Sequence, residues 1–155
     1  LLSRYHQQQQ ISQHELFAPG AVTDFMMDKD RIFAHLTLND AELAMYEKLY
    51  GMLSKSVLKP DLVVFLQAST DVLQDRIGKR GRSYELNLPD DYVENLNKAY
   101  IQYFFQYKAT PLLIVNTGNI DFVNDSSDFE DLAKEISEMK SGVKYYSPSH
   151  IRTRR

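Results

Sequence analysis

Cysteine is absent from these 155 residues, which excludes a disulfide framework and any thiolate metal site. No apolar run approaches the roughly 20 residues needed to cross a bilayer as a helix. Neither sign of charge dominates: 18 basic against 21 acidic residues leave a net charge of -3, so there is no global electrostatic case for binding nucleic acid or a membrane surface. A small-molecule partner is the expectation. The opening Leu1-Leu2-Ser3-Arg4-Tyr5 carries neither an initiator methionine nor a charged-then-apolar secretion pattern, and it reads as the middle of a helix. A cytoplasmic protein fits these features best. What is present is 43% hydrophobic residues with 12% aromatics, enough for one packed core.

The apolar pattern alternates between the two regular periods. Ala21-Val22-Thr23-Asp24-Phe25, after Pro19-Gly20, suits a brief buried strand. Asn39 with Glu42 has capping-box spacing, and Leu43, Tyr46, Leu49 or Tyr50, and Leu53 repeat at helical intervals, predicting a helix over 40–56. Lys59-Pro60-Asp61 ends it. Leu62-Val63-Val64-Phe65-Leu66 is a continuous apolar run of the kind found in parallel strands covered on both faces. Ser69 can cap a helix through about Ile77, and Pro89 opens a long aromatic helix carrying Tyr92, Leu96, Tyr100, Tyr103 and Phe104. Residues 111–115 form another buried strand. Ser127 with Glu130 is a second capping-box pattern, and Phe129, Leu132, Ala133, Ile136 and Met139 predict the buried face of the last helix. Residues 1–140 are read as part of one domain, and 141–155 as a polar, basic, disordered tail.

Helices alternating with buried strands imply an α/β fold with a parallel sheet and right-handed crossovers. Three strands are few for an open parallel sheet, so further strands are expected before Leu1.

The most informative segment is 76–87. Arg76, Arg80 and Arg82 fall at a helix end and in the glycine-bearing loop beyond it. Guanidinium groups donate paired hydrogen bonds to phosphate oxygens and stay charged at any working pH, and glycine lets such a loop close and exclude water. Phosphoryl transfer needs that positioning and charge neutralisation. A basic run is more often a solvated surface loop, but the strand and helix before it favour the functional reading.

In this context Pro60-Asp61-Leu62-Val63-Val64-Phe65-Leu66-Gln67-Ala68-Ser69, Asp75-Arg76-Ile77 and Arg80-Gly81-Arg82 resemble the fourth strand and lid of the deoxynucleoside kinases, a family with the P-loop kinase fold. Leu2-Ser3-Arg4, Asp30-Arg31-Ile32-Phe33-Ala34 and Ile120-Asp121-Phe122 extend the resemblance across nearly the whole chain, with the bacterial deoxyadenosine and deoxyguanosine kinases most similar. It implies ATP-dependent phosphorylation of a deoxynucleoside 5′-hydroxyl, purine by preference, in nucleotide salvage by a homodimer. Arg76, Arg80 and Arg82 would contact phosphates as the lid closes, and Glu85 would accept a bond from the sugar 3′-hydroxyl. Arg4 would meet the base edge with either Asp28 or Asp30 as its acidic partner. Asp121 and Phe122 would flank the ATP adenine, and Asp24 would approach the Mg²⁺ shell.

The chain departs from the family pattern in two places. The acidic residue, Arg and Ser expected after the third strand are here Asp24-Phe25-Met26, leaving Lys29 or Arg31 to supply the missing charge. No G-x-x-x-x-G-K-[ST] occurs, although the amides of such a loop cradle ATP phosphates. The loop and the general base are therefore expected upstream of Leu1, and residues 1–155 alone are expected to be inactive. The competing readings are a thymidylate kinase-like monophosphate kinase and a non-catalytic nucleotide-binding subunit. His6, His14, His35 and His150 lack ligand spacing, and no G-x-S-x-G nucleophile motif appears.

Overall fold

The computed structural model describes residues 1–14, 20–24, 26–82, 89, 91–118, 120 and 125–148. The chain divides into two compact units, Leu1–Lys59 and Pro60–Arg155.

The first unit is helical: α1 (Leu2–His14), α2 (Met27–Thr37) and α3 (Asp40–Leu53), closed by a 3₁₀ turn at Ser54–Ser56. The capping box predicted for α3 is formed. The Asn39 side chain accepts from the Glu42 amide at 3.0 Å, and Glu42 Oε2 accepts from the Asn39 amide at 3.1 Å, so two end donors of the helix are satisfied reciprocally. Helices α2 and α3 form an antiparallel hairpin, because Asp28 meets Tyr50 while Arg31 and His35 meet Glu47. Met27, Ile32 and Ala34 are the buried residues of α2.

Two expectations fail in this unit. Residues 20–24 form no strand; they are exposed irregular backbone with a bend at Asp24, and Phe25 lies outside the described residues. A short apolar run becomes a strand only when a neighbour takes its hydrogen bonds, and the described strands all belong to the second unit. Helix α2 was not predicted, since Asp28, Lys29 and Asp30 dilute the apolar period at its start.

The second unit carries β1 (Val63–Gln67), α4 (Thr70–Arg80), α5 (Tyr92–Gln106), β2 (Leu112–Asn116), α6 (Ser126–Glu138) and β3 (Val143–Tyr146). The strands run parallel in the order β1-β2-β3, with Val63 opposite Leu112 and Leu112 opposite Val143. Strand β2 is central, and its Leu112, Leu113 and Val115 are fully buried. Alternation along the strands divides the core in two. On one face Leu113, Val115 and Ile120 pack with Leu62, Val64, Leu132 and Tyr146. On the other, Phe65 stacks on Phe104 of α5 with ring centroids 4.4 Å apart, and Tyr103 meets Phe104 edge-on. A strand covered on both faces cannot alternate with polar residues, which is why β2 reads as a continuous apolar run; β1 has the same pattern, although its Leu66 is 52% exposed.

Strand β3 corrects the expectation that everything past Ser141 is a tail. Val143–Tyr146 adds to the sheet, and Lys144 on it pairs with Glu135 of α6 at 2.5 Å. The predicted cap of α6 is also displaced: Asp125, not Ser127, is the N-cap, accepting from the Ser127 amide at 2.9 Å and the Ser127 hydroxyl at 2.6 Å. The inward face of α6 is Asp128, Leu132, Glu135 and Met139, while the predicted Phe129 is 60% exposed. Ser69 occupies the N-cap position of α4, but its side chain makes no capping bond.

Candidate active site

The first cluster joins α1 to α2 and α3. Arg4 Nε lies 3.2 Å from Asp30 Oδ1, and the Tyr46 hydroxyl donates to Asp30 Oδ2 at 2.9 Å. Of the two acidic candidates, it is Asp30 that pairs with Arg4; Asp28 instead accepts from the Tyr50 hydroxyl at 3.0 Å. The helical period explains this division. Tyr46 and Tyr50 are four residues apart on one face of α3 with their rings stacked at 6.0 Å, so each meets a different acidic residue at the start of α2.

Burial, reinforced by the bond to Asp30 and its charge, pushes the Tyr46 hydroxyl well above the usual tyrosine range. Tyr50 is raised in the same way by burial and then Asp28. Both phenols are therefore neutral donors at any working pH. Arg31 Nε donates to Glu47 at 2.8 Å, and the guanidinium lies 5.3 Å from the Tyr50 ring centroid. Arg31, one of the two residues offered for the charge missing after Asp24, thus engages Glu47 through Nε. Glu47 also meets His35 Nε2 at 2.8 Å; although burial works the other way, the bonds from Arg31 and His35 hold its carboxyl below the ordinary value.

The second cluster lies where α4 passes the carboxyl end of β2, the edge of a parallel sheet where ligands characteristically bind. Helix α4 runs through Arg80, three residues further than the sequence suggested, so Arg76 and Arg80 are four apart on it. Gly81 terminates it in the left-handed conformation, φ 64°, and its amide bonds the Ile77 carbonyl at 3.2 Å. Arg80 and Arg82 are exposed on either side of that glycine. Arg76 Nη1 donates to Thr117 Oγ1 at 3.0 Å and Nη2 to the Thr117 carbonyl at 2.6 Å. Thr117 is buried and in turn donates its hydroxyl to the Gln67 carbonyl at 3.0 Å, joining the ends of β1 and β2 to α4.

Glu85, Asp121 and Phe122 lie outside the described residues. Asp24 is exposed in the bend before α2. No group of three or more His, Asp or Glu side chains able to hold a metal occurs among the described residues. Tyr46 and Thr117 were not singled out in the sequence as site residues; the four-residue spacing of Tyr46 and Tyr50 places the two rings together. The four-residue spacing of the two tyrosines was the available signal, and it reads equally well as ordinary helix packing.

The sequence matches the family model described as deoxynucleoside kinase over residues 1–141. The chain belongs to the deoxynucleoside kinase family. Members of that family are ATP-dependent phosphotransferases. The chain is 34% identical over 144 residues to the deoxyguanosine kinase of Bacillus subtilis, covering 90% of this chain and 70% of that protein. It is 30% identical over 155 residues to the deoxyadenosine kinase of Lactobacillus acidophilus, covering 89% and 72% respectively. Its structure is similar to that of the deoxyadenosine kinase from M. mycoides with bound dCTP, with TM-score 0.57 and 25% identity. That match covers 72% of this chain and 58% of the M. mycoides chain, and it confirms the α/β fold expected from the strand and helix pattern and the kinase fold that the resemblance implied. No helix among the described residues is long and apolar enough to cross a membrane.

Proposed function

We propose that this family member transfers the γ-phosphoryl group of ATP to the 5′-hydroxyl of a purine deoxynucleoside in nucleotide salvage, as a cytoplasmic homodimer. The observation that carries the reading is the Arg4–Asp30 pair at 3.2 Å. A guanidinium that only donates beside a carboxylate that only accepts is complementary to a base edge presenting an acceptor next to an amino group. The purine preference is supported by the B. subtilis deoxyguanosine kinase and L. acidophilus deoxyadenosine kinase among the relatives.

In this reading Arg80 and Arg82 close on the phosphates from the end of α4, where Gly81 allows the backbone to turn. Arg76 has N–H donors beyond the two engaged by Thr117 and joins them. Glu85 accepts from the sugar 3′-hydroxyl, and Asp121 and Phe122 flank the ATP adenine. Asp24 fits Mg²⁺, an ion that one or two protein carboxylates hold together with substrate phosphates and water. Mg²⁺ bound there would neutralise phosphate charge. The protein's part is positioning and charge stabilisation rather than covalent chemistry. The dimer is supported by Ile101 and Phe105, exposed one turn apart on α5, with Phe105 79% accessible.

The test is a phosphoryl-transfer assay of the full-length gene product with ATP and each of the four deoxynucleosides and dTMP, comparing wild type with Arg80→Ala. Transfer to a deoxypurine that collapses in the variant is expected. Transfer to dTMP alone would reassign the protein to the monophosphate kinases, and no transfer to any acceptor would favour a nucleotide-binding subunit.

A further inference from the structure

Asp30 is held from two sides: Arg4 engages Oδ1, and the Tyr46 hydroxyl donates to Oδ2 at 2.9 Å. A carboxylate on a helix can rotate about its terminal torsion, and a second bond to the far oxygen fixes which lone pairs remain directed at a ligand. We infer that Tyr46 is a specificity-determining positioning residue, which orients Asp30 so that it can accept from the exocyclic amino group of a base. This rests on the proposed role of the Arg4–Asp30 pair.

The chemistry of the two purines gives the inference a direction. The N6/N7 edge of adenine offers an amino donor and a ring acceptor, so it needs both the carboxylate and the guanidinium. The corresponding edge of guanine offers two acceptors, O6 and N7, which an arginine fork satisfies unaided. Loosening Asp30 therefore penalises deoxyadenosine more than deoxyguanosine. Burial and the bond to Asp30 keep the Tyr46 phenol protonated, so it remains a donor throughout the working range.

Tyr50 supplies the internal control. It is one turn further along α3 and makes a matching 3.0 Å bond to Asp28. Removing either hydroxyl breaks one tyrosine–aspartate bond, but only Tyr46 touches the residue paired with Arg4.

The experiment measures kcat and KM of the full-length gene product for deoxyadenosine and deoxyguanosine, in wild type, Tyr46→Phe, Tyr50→Phe and Arg4→Ala, with thermal unfolding of each. In Tyr46→Phe the ratio of kcat/KM for deoxyadenosine to that for deoxyguanosine is expected to fall roughly tenfold, the scale of one hydrogen bond to a charged group, with the change in nucleoside KM and not in the KM for ATP. Tyr50→Phe is expected to lower the unfolding temperature comparably and leave the ratio unchanged. An unchanged ratio in Tyr46→Phe, with Arg4→Ala losing both substrates, would overturn the role of Tyr46 alone. If Arg4→Ala leaves both substrates intact, the base-edge reading falls and Tyr46 falls with it.

Discussion

Arg76 and Thr117 are joined by two hydrogen bonds, Nη1 to Oγ1 at 3.0 Å and Nη2 to the carbonyl at 2.6 Å, which fasten α4 to the end of the central strand. Planar two-point contact is a property of guanidinium that an ammonium cannot reproduce. Thr117→Val keeps the shape of the side chain and the carbonyl that accepts from Arg76 Nη2, but removes the hydroxyl that accepts from Nη1 and donates to the Gln67 carbonyl. It is expected to destabilise the fold by about 1–3 kcal/mol in urea unfolding and to raise the KM for ATP, while Thr117→Ser stays close to wild type. Equal unfolding midpoints for Val and wild type would show that the contact does not anchor α4.

Gly81 has φ 64°, and a Cβ placed there would meet no atom within 4 Å. The cost of Gly81→Ala is therefore conformational alone, about 1–2 kcal/mol for a left-handed alanine. Because Arg80 and Arg82 flank this turn, kcat is expected to fall along with stability. A variant as stable and active as wild type would show that this turn is not required for the lid.

The two buried phenols give a pH signature. Tyr46 and Tyr50 have folded pKa values raised above the usual value of about 10, so their contribution to stability is fully present below that pH and is lost as pH rises beyond it. The double variant Tyr46→Phe/Tyr50→Phe is expected to be less stable than wild type at pH 8. The two stability curves should converge above roughly pH 10, because the wild type alone loses this term there. Parallel curves across that range would contradict the assignment.

Phe104 and Phe105 are neighbours in sequence with opposite environments, the first 6% and the second 79% exposed. Phe104→Ala is expected to cost about 3–5 kcal/mol by emptying the core beside Phe65. Phe105→Glu should leave the unfolding midpoint of the protomer nearly unchanged and halve the mass measured by light scattering. A wild-type mass already equal to one protomer would remove the dimer from the reading.

Much of this architecture was legible from local pattern. The apolar runs at 62–66 and 111–115 marked β1 and β2, although Leu66 of β1 is 52% exposed, and Asn39 with Glu42 marked the start of α3 to the residue. Arg76, Arg80 and Arg82 could be proposed for the phosphates from sequence because glycine and arginine carry their meaning in a short window. Strand β3 was not, since Val143, Lys144, Tyr145 and Tyr146 are mostly exposed on an edge and have no apolar run to announce them. The face of α6 was misread for a similar reason: Asp128 and Glu135 are directed inward, which a hydrophobic period cannot register.

By itself the sequence determined the alternation of helix and strand, the absence of thiol chemistry, and a set of arginines suited to phosphate, because each depends on residue type and on spacing within one or two turns. Which acidic residue meets Arg4, and that Tyr46 and Thr117 belong to the candidate site at all, was decided only by tertiary structure. Asp28 and Asp30 lie two positions apart at the start of α2 and are chemically equivalent as a string. They differ only once α1 and α3 are packed against them, when the angular positions of 28 and 30 on the helix direct one carboxylate to Tyr50 and the other to Arg4 and Tyr46.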